Sequence, residues 1–334
     1  MSGGASGAVV ALCGGVGGAK LAHGLAMALE PGQLSIVVNT GDDFRHLGLY
    51  VAPDLDSVMY ALAGLSDPVR GWGRREETWT FMAALRSLGA EDWFQLGDAD
   101  LAVHVERTWR LTAGATLSEV TAHLCTRLGI GARVLPMSDD PVRTRVHTDA
   151  GWLDFQEYFV RRQCRPVVRE FCFEGAQRAC AQPAVLEALS DERLRAVILC
   201  PSNPFVSIEP ILAVRGMREA LQRSTAPIIA VTPIIGGRAV KGPAAKMLTE
   251  LGLPASGIAV ARRYAGLADG FVLDEADPLP DAPPHSVPDR PRDTVAQMRF
   301  ARMATLMLTC EDRLRLAREV LRMADGLPRG ARRA

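Results

Sequence analysis

The chain has 334 residues, and its 38 Lys plus Arg balance 38 Asp plus Glu, so the formal net charge is zero. That balance argues against a nucleic-acid binder, which carries a basic excess. With 48% apolar and 23% charged residues, a disordered chain is excluded and a sizeable core can form.

No apolar run reaches the ~18 residues of a membrane helix. The first residues lack the basic and apolar regions of a secretory signal, so a cytoplasmic protein without membrane partners is expected. Seven scattered cysteines form no CxxC pair, which points to reduced thiols and away from a zinc site.

The elements follow from the pattern in chain order. Ala8–Cys13 is an apolar run of buried-strand type, followed by the glycine cluster Gly14-Gly-Val-Gly-Gly18, a helical stretch Ala19–Leu29 and a second strand Leu34–Asn39. Strand, glycine turn, helix and strand within about thirty residues make a βαβ unit and hence a parallel sheet. Asn39-Thr-Gly-Asp-Asp43 closes the second strand, and Pro53-Asp-Leu-Asp-Ser57 opens a helical stretch from Val58 to Leu65.

The middle of the chain reads as helical over Glu76–Leu88 and Leu117–Leu128, the latter capped by Thr116 or Ser118. Extended segments are predicted at Arg143–Thr148 and Trp152–Val160. Arg195–Cys200 and Pro227–Thr232 are further buried-type strands, each ending in a proline or glycine loop. Pro278–Arg292 reads as a surface loop, Gln297–Met323 as one or two amphipathic helices, and Gly326–Ala334 as a frayed tail.

The expected architecture is α/β: a Rossmann-like, mostly parallel sheet with flanking helices and a helical and β insert. The core is placed at about 8–70 and 190–275, the insert at about 71–185 and C-terminal helices at about 295–323, all in one domain over 8–322.

Ligands of such sheets sit beyond the carboxyl ends of the strands. Gly14–Gly18 lets backbone N–H groups converge at a helix N-terminus, which favours an anion. It is neither a Walker loop nor a dinucleotide fingerprint, because Lys20 stands where the third small residue belongs. Asp42, Asp43, Asp54 and Asp56 offer hard oxygen ligands of the kind that suit Mg²⁺ with substrate phosphates. Pro201-Ser-Asn-Pro204 fixes a loop that presents a hydroxyl and an amide, and Gly236–Pro243 carries Arg238 and Lys241 for an anion. No Ser/His/Asp set or nucleophile elbow is present.

At these residues the chain resembles the 2-phospho-L-lactate transferase family of deazaflavin (coenzyme F420) biosynthesis. The resemblance runs in order through Gly14–Gly18, Asn39–Asp43, Pro53–Ser57, Arg70–Gly73, Leu96–Asp98 with Asp100, Leu135–Asp140, Phe155–Gln156, Pro201–Pro204 and Pro233–Gly236. It extends through Ala304–Met307 and Leu316–Val320, covering roughly residues 8 to 322.

The resemblance implies transfer of a phosphorylated three-carbon acid from a guanosine diphospho donor to the ribityl hydroxyl of the deazaflavin Fo, with release of GMP. It implies Mg²⁺ on Asp42 and Asp56, with Asp43 and Asp54 in support, and Asp42 and Asp56 as the catalytic pair. Asp56 would contact the Fo hydroxyl. Gly14, Gly15, Val16, Gly17, Gly18, Ser202, Asn203, Pro204, Arg238 and Lys241 would hold the nucleotide, and Trp93 and Gln95 the deazaflavin.

A homodimer is expected by analogy. Gln95 stands where some relatives carry a basic residue, and Cys13 replaces a more usual small or apolar residue. A second family of the same fold, nucleotide-sugar-binding regulators related to the gluconeogenesis factor, typically continues the paired aspartates into Gly-Gly-Ser-Ser-Gly. Here Phe44-Arg-His-Leu-Gly-Leu-Tyr50 follows instead.

Overall fold

The computed structural model describes residues 7–279 and 298–330. Its centre is a seven-stranded, wholly parallel sheet. From one edge to the other the strands run Arg299–Met303, Gly270–Asp274, Ile228–Val231, Ala196–Leu199, Val9–Cys13, Leu34–Val38 and Arg133–Pro136. The chain builds outward from Val9–Cys13 in one direction and then returns to add strands on its other side. The sheet is therefore of the Rossmann-like, doubly wound kind, with its switch point between Val9–Cys13 and Ala196–Leu199.

The strands are apolar because both sheet faces are covered. Val9–Cys13, Ala196–Leu199 and Ile228–Val231 are buried at every residue. On one face the helices Gly15–Ala28, Pro53–Leu62 and Cys310–Asp325 pack through residues such as Leu21, Val58 and Leu316. On the other, Pro183–Ser190, Met217–Arg223 and Gly257–Arg263 pack through Val185, Leu221 and Val260. Among the described residues no helix is long and apolar enough to cross a membrane.

Several expectations shift. The edge strand Arg133–Pro136 comes from within the stretch assigned to the insert. The C-terminal stretch begins not with helix but with Arg299–Met303, which pairs in parallel with Gly270–Asp274 before the single helix Cys310–Asp325. Completing the sheet's backbone hydrogen bonds outweighs helical apolar spacing there.

Extended structure ends at Asp154 rather than Val160, because Glu157–Arg161 turns into a π-helix that stacks Phe159 on Phe155 at 5.3 Å. The helix predicted from Glu76 starts at Thr80 instead, with Asp98 accepting from Thr80 N and Phe81 N at 3.0 Å each. Glu77 is drawn off to cap the next helix, Asp98–Thr112, by accepting from Ala99 N and Asp100 N. Thr116 caps Leu117–Arg127 with a complete capping box. The predicted Pro278–Arg292 loop and the extreme tail fall largely outside the described residues.

Candidate active site

A cavity of about 640 Å³ lies across the carboxyl ends of the central strands, over the switch point. Its size suits a drug-sized or nucleotide-sized ligand. One half is built on the glycine loop. Gly14 is extended and Gly15 has φ +64°, which opens the helix Gly15–Ala28 toward the cavity. A side chain on Gly14 would run into the Asp54 carboxylate, and one on Gly17 would sit 2.5 Å from Pro201 O. The glycines therefore let the loop dock on its neighbours as well as face a ligand.

The Pro201–Pro204 loop supports this wall. Ser202 Oγ accepts from Gly14 N at 3.1 Å, and Asn203 accepts from Phe205 N while its amide reaches Met247 Sδ. Both residues line the cavity, as do Gly14 through Gly17 and Lys241. Gly18 is buried against Cys13 and Ser202, Pro204 is buried beneath, and Arg238 is exposed on its hairpin; none of these three lines the cavity. Lys20, which the sequence reading noted without assigning a role, does line it.

The aspartates form the floor. Asp54 sits in the first turn of Pro53–Leu62, where the helix dipole favours a carboxylate. It accepts from Gly15 N at 2.7 Å and from Asn39 Nδ2 at 2.9 Å, tying the second strand's loop to the glycine loop. Burial pushes Asp54 up to about 6 despite those two hydrogen bonds. Asp42 is pushed well above the ordinary carboxylate range by burial and then by the charge of Asp54, and its Oδ1 has no hydrogen-bond partner. Asp43 lies behind the cavity wall, where its Oδ2 accepts from Tyr50 OH and its Oδ1 is also unpartnered.

Asp56 differs. Arg107, only 1% exposed, bonds both of its oxygens, with Nη1 to Oδ2 at 3.2 Å and Nη2 to Oδ1. Arg107 Nη1 also lies 3.2 Å from His104 Nδ1, and His104 sits 3.5 Å from Asp100 Oδ1. Asp100 takes the Tyr60 hydroxyl. Burial works against the Asp100 charge, but His104 and Tyr60 hold its carboxyl below the usual range.

Asp56, Asp100 and His104 thus place ligand atoms within 4.8 Å of one another. Asp42, Asp43, Asp54 and Asp56 do not gather into such a trio among the described residues. Sequence reading finds no metal-ligand spacing between His104 and the other histidines, and it gives Arg107 no role. The detectable signal was the spacing Asp100, His104, Arg107, which aligns three polar residues along one face of a helix.

Whether a divalent cation fits is decided by charge. Among the described residues no cationic side chain pairs with the buried carboxylates Asp42 and Asp54, and Asp42 Oδ1 is an orphaned acceptor. Such a pair is costly unless a positive charge joins it. Asp42 and Asp54 therefore fit a hard cation, whereas Arg107 already balances Asp56.

The other half of the cavity is aromatic. Trp93, Phe94, Phe155 and Phe159 line it together with Gln95 and Gln156. Phe44 and His46 back Trp93 and Phe94 at 4.8–6.1 Å between ring centroids. Such an aromatic lining suits a flat ring system. The loop Arg70–Gly73 also lines the cavity, and Lys241 Nζ donates to Arg70 O at 3.4 Å.

Comparison with known proteins adds to this geometry. The family model for 2-phospho-L-lactate transferase CofD matches residues 9–288. A phosphoenolpyruvate transferase of Kitasatospora aureofaciens is 45% identical over 276 residues, covering 80% of this chain and 85% of that protein. One of Streptomyces coelicolor is 39% identical over 328 residues, covering 95% and 98%. One of Mycobacterium tuberculosis is 42% identical over 286 residues, covering 80% and 86%. Two crystal structures of a UPF0052-family protein from Bacillus halodurans share the fold. One has a TM-score of 0.53 at 15% identity, covering 83% of this chain and 82% of that one. The other has a TM-score of 0.61 at 16% identity, covering 95% and 99%.

Proposed function

The chain belongs to the 2-phospho-L-lactate transferase family, and from that premise we propose that it transfers a phosphorylated three-carbon acid from a guanosine diphospho donor to the ribityl hydroxyl of the deazaflavin Fo. GMP leaves, and the names of the relatives favour phosphoenolpyruvate as the acid. The observation that carries this reading is that one cavity is lined both by an anion-binding set, the glycine loop with Asp42 and Asp54, and by an aromatic set. A nucleotide suits the first and a planar ring the second.

In this reading the glycine loop holds the diphosphate, with Ser202 and Asn203 fixing its shape. Trp93, Phe94, Phe155 and Phe159 hold the deazaflavin, which points its ribityl chain at the aspartates. The hydroxyl oxygen bonds to the phosphorus that carries the acid, and that phosphorus releases the oxygen kept by GMP. Asp42 and Asp54 would hold Mg²⁺, which supplies neutralisation of charge on the diphosphate. Asp56, clamped by Arg107, lines the cavity with lone pairs to accept from the attacking hydroxyl. Catalysis then rests on positioning and charge, as in phosphoryl transfer generally.

The test incubates purified protein with Fo, Mg²⁺ and, in turn, the phosphoenolpyruvyl, phospholactyl and phosphoglyceryl guanosine diphospho donors. Mass spectrometry follows GMP and the deazaflavin product. Equimolar product and GMP with the phosphoenolpyruvyl donor, abolished by EDTA, is expected. No product with any donor overturns the reading.

A further inference from the structure

We infer that Lys20 and Lys241 form a phosphate-binding pair beside the glycine loop, placed to take the anionic group of the diphospho donor. The identity of that anion rests on the function proposed above; the pairing rests on geometry.

Lys20 lies within the first two turns of Gly15–Ala28. Helical side chains lean toward the helix N-terminus, which here is the glycine loop. It lines the cavity, and among the described residues its ammonium hydrogen-bonds only Met307 O, at 2.7 Å. Two of its three donors are left for a ligand. Lys241 lines the same cavity from the segment just past the Ile234–Ala239 hairpin; it is exposed, packs beside Gly71 and donates to Arg70 O.

Neither lysine has a carboxylate within ion-pair distance among the described residues. Arg313 adds a third positive charge near Lys20. Asp312, the acid whose charge acts on Lys20, is occupied in capping Cys310–Asp325 through Leu308 N and Thr309 N. Burial first, then repulsion from Arg313 and Lys241, lowers the proton affinity of Lys20. An anion seated between the lysines would relieve both effects. Asp42 and Asp54 line the same cavity and would hold the cation, so a diphosphate there would meet positive charge from the lysines and from the cation.

The experiment titrates GDP, inorganic pyrophosphate and uncharged guanosine into wild type, Lys20→Met, Lys241→Met and Lys20→Arg by calorimetry, at low and high salt. Each methionine variant is expected to weaken GDP and pyrophosphate ~10-fold or more, the scale of one charge-assisted hydrogen bond. Guanosine should bind unchanged, the salt dependence should flatten, and Lys20→Arg should retain most affinity.

Wild-type affinity for GDP and pyrophosphate in a folded Lys20→Met protein overturns the pair. So does an equal loss for guanosine and GDP, or a lowered melting temperature with GDP affinity intact, which would mark Lys20 as a strut for Met307. If Lys20→Met does not fold, Lys241→Met gives the same readout. Equal, lysine-dependent binding of ADP and UDP would keep the pair and sink the guanosine donor instead.

Discussion

Arg107 holds both carboxylate oxygens of Asp56 from the facing helix, and both residues are at least 95% buried. This divides the floor of the cavity into one aspartate whose charge the protein balances and two, Asp42 and Asp54, whose charges it leaves unmatched. Removing one member of a buried pair strands the other. Arg107→Met is expected to lower stability by about 3–5 kcal/mol, and Arg107→Lys to recover only part because it cannot make the two-pronged contact. Urea unfolding of the three proteins checks this, and a loss under 1 kcal/mol for Arg107→Met would show that the pair is not strongly coupled.

The unmatched aspartates set a pH dependence. Asp54 has its folded pKa raised from 3.8 to about 6, and Asp42 is raised as well. A raised carboxylate pKa means that the folded state binds more protons than the unfolded state across that window. Stability of the metal-free protein should therefore fall as pH rises from about 4 to 6, by up to roughly 3 kcal/mol for a two-unit shift. Mg²⁺ should restore it above pH 6 and do little at pH 4.5. Thermal unfolding across pH with EDTA or Mg²⁺ measures both effects; a metal-free profile that rises through this window contradicts the assignment.

Asp42→Asn should separate stability from catalysis. The substitution removes an uncompensated buried charge, so the metal-free protein should be as stable as wild type at pH 7 or more so, with a flatter pH profile. Turnover should fall by at least ~100-fold, the scale of losing one electrostatic contributor to the transition state. Single-turnover kinetics alongside calorimetry tests the pair of claims. Near-normal turnover would remove Asp42 from the metal site.

The parallel sheet was legible because its strands are buried on both faces and read as unbroken apolar runs, as in Val9–Cys13 and Ile228–Val231. The cavity was legible for a related reason: in this topology the loops after those strands must meet. What failed depended on partners distant in sequence. Arg299–Met303 is a strand because the edge of the sheet is open to it. Arg238 and Lys241 look alike in sequence and both are exposed, yet Arg238 lies on the hairpin strand off the cavity and Lys241, two residues past that strand, lines it. Arg107 lies 51 residues from Asp56, and no local spacing connects them.

The glycine loop makes a graded prediction. A Cβ on Gly15 meets nothing within 4 Å, so Gly15→Ala carries only the strain of φ +64°, about 1–2 kcal/mol. A Cβ on Gly17 meets Pro201 O, a backbone atom that cannot swing aside. Gly17→Ala should therefore push the loop off the Pro201–Pro204 wall, destabilising more than Gly15→Ala and raising the donor KM further. Melting temperatures and donor kinetics for both variants give the order; a Gly15→Ala defect exceeding that of Gly17→Ala contradicts the packing.

The aromatic half should act on the acceptor alone. Trp93 lines the cavity with Phe94 at 5.8 Å between ring centroids, and Phe159 stacks on Phe155. Stacking a planar ring on an aromatic side chain contributes about 1–3 kcal/mol by alanine substitution. Trp93→Ala is therefore expected to raise the Fo KM ~5- to 100-fold while leaving the donor KM within about twofold. Because Trp93 touches neither the glycine loop nor the aspartate floor through any hydrogen bond, kcat at saturating Fo should hold. Steady-state kinetics with each substrate varied in turn separates the two halves. A donor KM that rises in step with that of Fo would mean that the cavity is not divided as its walls indicate.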